Sequence, residues 1–126
     1  MIKQSGFSLI EVMVAMVIFG VVSASMAPVF MNHLKFNTAM EVRSGAYAAA
    51  QQVLDDLRSQ DPSSMPSSGS SAATSVPAGD RIYSVVTSYC LQASYCASAN
   101  IRHLKVEVSY KGNLVYSVET VFTKLH

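Results

Sequence analysis

Apolar residues run almost without interruption from Phe7 to Met31, and the only charge among them is Glu11. Ahead of them stands a short polar leader, Met1 to Gly6, with one cation, Lys3. A helix needs about 20 apolar residues to cross the hydrocarbon core of a bilayer, and residues 7–31 supply them. An unpaired carboxylate in such a span is costly, so Glu11 belongs either at the interface or opposite a cation from another molecule. Beyond the span, Val42, Ala46, Ala49, Ala50, Val53, Leu54 and Leu57 recur at three- and four-residue spacing. That spacing marks one apolar face of a helix, and Glu41, Arg43, Asp56 and Arg58 fall mainly off it. Only Gly45 weakens the pattern between Pro28 and Pro62. One helix from about Phe7 to Ser59, about 80 Å long at 1.5 Å per residue, follows, with 7–31 in the membrane and 32–60 amphipathic. Pro28 cannot donate a backbone hydrogen and should kink or locally melt that helix. Ser23, Ala24, Ser25 and Ala27 beside it allow close lateral packing.

The pattern breaks at residues 61–79. Pro62, Pro66 and Pro77, with Ser63, Ser64, Ser67, Ser68, Ser70, Ser71 and Ser75, read as a long surface loop. It is either a linker from helix to sheet or an exposed segment that binds a partner or carries glycans. From residue 80 the period changes to two. Arg81 to Leu91 is rich in Val, Ile, Tyr and Thr, and Leu104, Val106, Val108 and Tyr110 alternate with Lys105, Glu107 and Ser109. Lys111-Gly112-Asn113 supplies turn chemistry. Leu114, Tyr116, Val118 and Phe122 follow, with Ser117 and Glu119 opposite. Residues 80–126 therefore predict an antiparallel meander, one face covered by the helix and the other open. The fold class is α+β: one long N-terminal helix on a small antiparallel sheet.

The apolar run is too long for a secretory signal peptide, and the small residue resembling a cut site, Gly6, lies before it rather than after it. Gly6-Phe7-Ser8-Leu9-Ile10-Glu11 resembles the prepilin motif of type IV pilins and type II secretion pseudopilins. The resemblance implies a membrane peptidase that cuts after Gly6 and methylates the new amino terminus, Phe7. Glu11 falls on that family's acidic position, the fifth residue after the cut, where its partner is implied to be the cationic terminus of a neighbouring subunit. Pro28 falls on the proline that many of these proteins carry within the membrane segment. The motif covers only the first quarter of the chain.

Composition agrees with this class. The 126 residues suit one small domain and a membrane segment. Nine Lys and Arg stand against eight Asp and Glu, so loss of Lys3 with the leader leaves the chain near neutral. That disfavours nucleic-acid binding through phosphate neutralisation, which needs clustered cations. Cys90 and Cys96 are the only cysteines. If the globular part lies outside the cytoplasm they should be oxidised, closing a small loop worth about 2–3 kcal/mol; free thiols are the alternative. A metal site is not expected, because two cysteines without a partner pair make a weak zinc signal, and His103 is badly spaced to complete one. His33, His103 and His126 are scattered, with no phosphate loop or HExxH spacing and no nucleophile elbow. The tyrosines 83, 89, 95, 110 and 116 read as sheet packing.

The sequence thus points to a structural subunit, without enzymatic activity or cofactor, resembling the minor pilins that prime or cap a type IV pilus. Its expected partners are other pilins, the prepilin peptidase and methylase, an inner-membrane assembly platform and membrane lipid. It should sit as a single-pass inner-membrane protein with its globular part in the periplasm before entering a pilus or pseudopilus. A minor pseudopilin of a type II secretion system and a competence pseudopilin share the same leader and helix. A membrane-anchored binding or sensor protein is the alternative of a different class.

Overall fold

The computed structural model describes residues 6–124. Helix α1 spans Leu9–Arg58, a short 3-10 turn covers Pro62–Ser64, and four strands follow: β1 Thr74–Ala78, β2 Arg81–Tyr89, β3 Ile101–Tyr110 and β4 Asn113–Thr123. A second 3-10 turn, Ala93–Cys96, lies between β2 and β3. The chain divides into two compact units, residues 1–38 and 39–126.

In the first unit every described residue is exposed. Helix α1 is long and apolar enough to cross a membrane. It stays helical through Pro28, so of the kink or local melting expected there, the melting does not occur. Proline removes one hydrogen bond and crowds the carbonyl four residues back, but the turns on either side keep their own bonds. Next to it, the Ser25 hydroxyl donates to the Val21 carbonyl at 2.8 Å.

In the second unit the sheet is a meander in the order β1-β2-β3-β4, all pairs antiparallel. The fold is α+β, with the amphipathic end of α1 on one sheet face. Ala46, Ala49, Ala50, Leu54 and Leu57 are its buried residues, all on the stripe that periodicity marked. The first four meet Val76 of β1, Tyr83 and Val85 of β2, and Val106 and Val108 of β3. A smaller cluster joins Leu57, Met65 and Leu104. Three alanines in the helix stripe let backbone approach sheet closely, and the bulk of the core comes from the strands.

Three local readings need correction. Residues 61–79 are not a plain loop, since they contain a 3-10 turn and all of β1. The Asp61 carboxylate caps that turn, accepting from the Ser63 N–H at 3.0 Å and from its hydroxyl at 2.7 Å. Strand β1 tolerates Pro77 because it lies at the sheet edge, where a missing donor need not break a ladder. Ahead of it, the Ser71 N–H donates to the Thr87 carbonyl at 2.7 Å and the Tyr89 N–H to Gly69 at 2.8 Å, which lays the serine-rich stretch along β2. Next, β2 stops at Tyr89 rather than Leu91, because Cys90 turns to φ +51°, a left-handed conformation that ends a strand. Finally, α1 ends at Arg58. The β3–β4 turn is formed by Lys111 and Gly112, both with positive φ, +51° and +83°, the requirement of a tight hairpin of the primed type.

Candidate functional site

The residues that carry the chemistry lie at the start of α1. The Ser8 carbonyl accepts from the N–H groups of Glu11 at 3.0 Å and Val12 at 3.2 Å, which closes the first turn. Glu11 is the acidic residue of that turn, where the positive end of the helix dipole favours a carboxylate. Ser8-x-x-Glu11 is also the spacing of a capping box, a helix-start signal that the reading of Glu11 as an assembly residue passed over. Local helix chemistry therefore already supplies one reason for a glutamate here. It does not supply a counter-charge: among the described residues Glu11 has no ion-pair partner.

Around Glu11 the surface is apolar. Phe7, Glu11, Val12, Ala15, Met16 and Phe19 line an open hollow of about 660 Å³. Phe7 is 82% exposed, so the residue expected to become the amino terminus lies fully outside any core. A second apolar hollow runs from Val21 to His33 along the same helix, about 480 Å³. A helix surface of this kind, bare in water over its whole circumference, has to be covered by lipid or by other apolar helices.

Gly6 is described and lies just outside the helix. A Cβ built on it meets nothing within 4 Å, so no crowding in the fold demands a glycine there. Lys3 and the rest of the leader, with His126, lie outside the described residues. Pro28 lies within the helix as stated.

Cys90 and Cys96 lie far along the chain from this segment and are joined in a disulfide, with Cα atoms 5.9 Å apart. The bridge is tied to β3 through one residue. His103 accepts from the Cys90 N–H at 2.8 Å, and its own N–H donates to the Cys96 sulfur at 3.2 Å. Its side chain is buried on the sheet face away from the helix, beneath Tyr95 at 5.9 Å between ring centroids. Nε2 stands 3.5 Å from Glu119, and Nδ1 has no hydrogen-bond partner among the described residues. Sequence reading treated His103 as a scattered histidine. The available signal was its position on the solvent-facing register of a strand whose neighbours on that register, Lys105 and Glu107, are charged.

Residues 1–27 match the family model for the prokaryotic N-terminal methylation motif. No curated protein and no solved structure matches the chain. That motif marks precursors of the type IV pilin and pseudopilin families. It implies pilin-type processing and assembly with other pilins, and the exposed apolar helix behind it is consistent with membrane anchoring.

Proposed function

We propose that this chain is a minor pilin-like structural subunit of a type IV pilus, not an enzyme, acting in the complex that primes or tips the fibre. The observation that carries the reading is the coincidence of the methylation motif with a helix that is bare and apolar over residues 9–31. A dedicated peptidase cuts between Gly6 and Phe7 and methylates Phe7. The absence of any packing reason for Gly6 supports selection there by the peptidase rather than by the fold. The processed chain is held by its first helix in the inner membrane, with the sheet in the periplasm, where Cys90 and Cys96 are oxidised. The assembly platform then moves it into the pilus, α1 against the helices of other pilins.

Intact-mass measurement of the protein from its native membrane tests this. A chain lacking Met1 to Gly6 and one methyl group heavier at Phe7 is expected. A chain that keeps Met1 to Gly6 with the peptidase present overturns the reading in favour of an anchored binding protein.

A further inference from the structure

The two sulfurs of the Cys90–Cys96 bridge have different surroundings. Cys96 Sγ accepts the main-chain N–H of His103 at 3.2 Å, whereas among the described residues no donor reaches Cys90 Sγ. That N–H is fixed in place, because His103 lies within β3 opposite Val121 of β4 and its carbonyl holds the Cys90 N–H at 2.8 Å. Cys90 stands at φ +51°, a left-handed conformation that is costly for a residue with a Cβ. Opening the bridge frees the chain beyond β2 to relax it. Both cysteines are half-buried, and residues 91–95 between them are exposed, so the bridge lies at the surface. Strained or exposed disulfides are the labile ones.

We infer that the bridge is exchangeable with a fixed direction: an external thiolate attacks Cys90 Sγ, and Cys96 Sγ is the sulfur that leaves. A bond forms from the incoming sulfur to Cys90 Sγ as the bond between Cys90 and Cys96 breaks. The electron pair of the broken bond goes to Cys96, which becomes a thiolate, and Cys90 carries the mixed disulfide. A second thiolate then displaces Cys90 and departs as a disulfide with the first, so the two external thiols supply the two electrons. Run backwards, the same steps close the bridge, with Cys96 displacing a thiol carrier from Cys90.

The more stable thiolate leaves faster, and a hydrogen bond to the charged form stabilises it. The bond from His103 N–H strengthens as charge develops on Cys96, and Cys90 has no equivalent. Two features oppose this, and both are weak. Cys96 ends the Ala93–Cys96 turn, where carbonyl dipoles disfavour an anion, but a single turn carries little of a helix dipole. Glu119 stands 3.5 Å from Nε2 of the His103 ring, but its side chain is about half exposed and water and salt screen it. The inference concerns the second unit alone and holds whether or not the leader is cut.

The experiment treats the oxidised full chain with reduced glutathione, quenches with N-ethylmaleimide at short times and maps the modified peptides. Glutathione on Cys90 with N-ethylmaleimide on Cys96 should exceed the reverse pattern about tenfold. In guanidinium chloride, where β3 no longer presents the His103 N–H, the preference should vanish. Glutathione chiefly on Cys96, equal labelling of the folded chain, or a preference that survives unfolding would each overturn the inference. As a second measurement, Cys96 in Cys90→Ser should stay reactive towards iodoacetamide to lower pH than Cys90 in Cys96→Ser, and the opposite order in folded chains would overturn it. In Cys96→Ser taken from the native membrane, Cys90 should carry a mixed disulfide, and the mass it has gained separates a small thiol from a second protein. A free thiol at Cys90 there would count against any external thiol reaching it and overturn the inference.

Discussion

Gly45 of α1 and Tyr83 of β2 occupy the same space: a Cβ built on Gly45 would lie 2.2 Å from the tyrosine hydroxyl and 2.8 Å from the ring carbon that carries it. The ring reaches past the glycine so that its hydroxyl donates to the Val42 carbonyl at 3.0 Å. Glycine inside a helix costs about 1 kcal/mol relative to alanine, and here that cost lets a fully buried tyrosine satisfy its polar end. Gly45→Ala should therefore destabilise the second unit by about 1–3 kcal/mol despite better helix propensity. Tyr83→Phe should not relieve this, because the ring carbon still collides. In a Tyr83→Leu background the same Gly45→Ala change should cost little or become stabilising, a non-additivity that thermal melts of the four chains would read. Equal cost in both backgrounds would show that the two residues do not share the space.

The Asp61 carboxylate is held well below the usual carboxylate range, chiefly by its bond from Lys124 and then by the Ser63 N–H and hydroxyl. A depressed folded-state value means the contribution is present above the unfolded value, about 4, and is lost as pH falls below it. Because the pair is exposed, the effect is small. Asp61→Asn should lower the melting temperature slightly at neutral pH, and the gap from the parent chain should close on acidification. A gap that widens in acid would contradict the assignment.

The stripe from Ala46 to Leu57 and the alternation in β3 and β4 were legible because each follows from a fixed period and one buried face. Residues 61–79 were not, because serine and proline carry no burial pattern of their own. What orders them is paired elsewhere in the chain: Gly69 and Ser71 bond to β2, and Asp61 bonds to Lys124 sixty-three positions away. Gly45 looked like a weak point in a helix since its reason, Tyr83, lies on another element. The opposite holds at the N-terminus. There the motif Gly6 to Glu11 is a linear signal, so it could be read directly, and the fold adds only that no packing competes with it.

Closing the Cys90–Cys96 loop should be worth about 2 kcal/mol by chain entropy, partly offset by the left-handed backbone at Cys90. More informative is what the loop covers. Paired Cys90→Ser and Cys96→Ser changes, or reduction by a dithiol, should release Tyr95 and uncover His103, which is 3% exposed in the closed form. Diethyl pyrocarbonate then supplies the measurement. His33, exposed on α1, should react in either form, while His103 should react rapidly only once the bridge is open. Equal protection of His103 in both forms would mean that the sheet, not the loop, buries it.

Glu11 admits two roles that one substitution separates. As a helix-start residue its charge is favoured at the positive end of the dipole, and glutamine keeps the side chain's shape though not that charge. As a docking residue its carboxylate, surrounded by Phe7, Val12 and Phe19, would be desolvated when other helices or lipid cover that hollow. There it would need a cation, which the amino group of a neighbouring subunit, if cut before Phe7, would supply. Such pairing would offset the desolvation of both and set the axial register of one helix on the next. The chain's own Phe7 amino group, four residues back and one helical turn away, is the local competitor. Glu11→Gln should be cut after Gly6, inserted and folded as the parent is, yet co-purify with its pilin partners in much lower yield. Equal yield would assign Glu11 to the helix start or to recognition by the peptidase and methylase. Glu11→Asp, which keeps the charge on a shorter arm, should recover part of the loss if pairing is the cause and none of it if side-chain shape is.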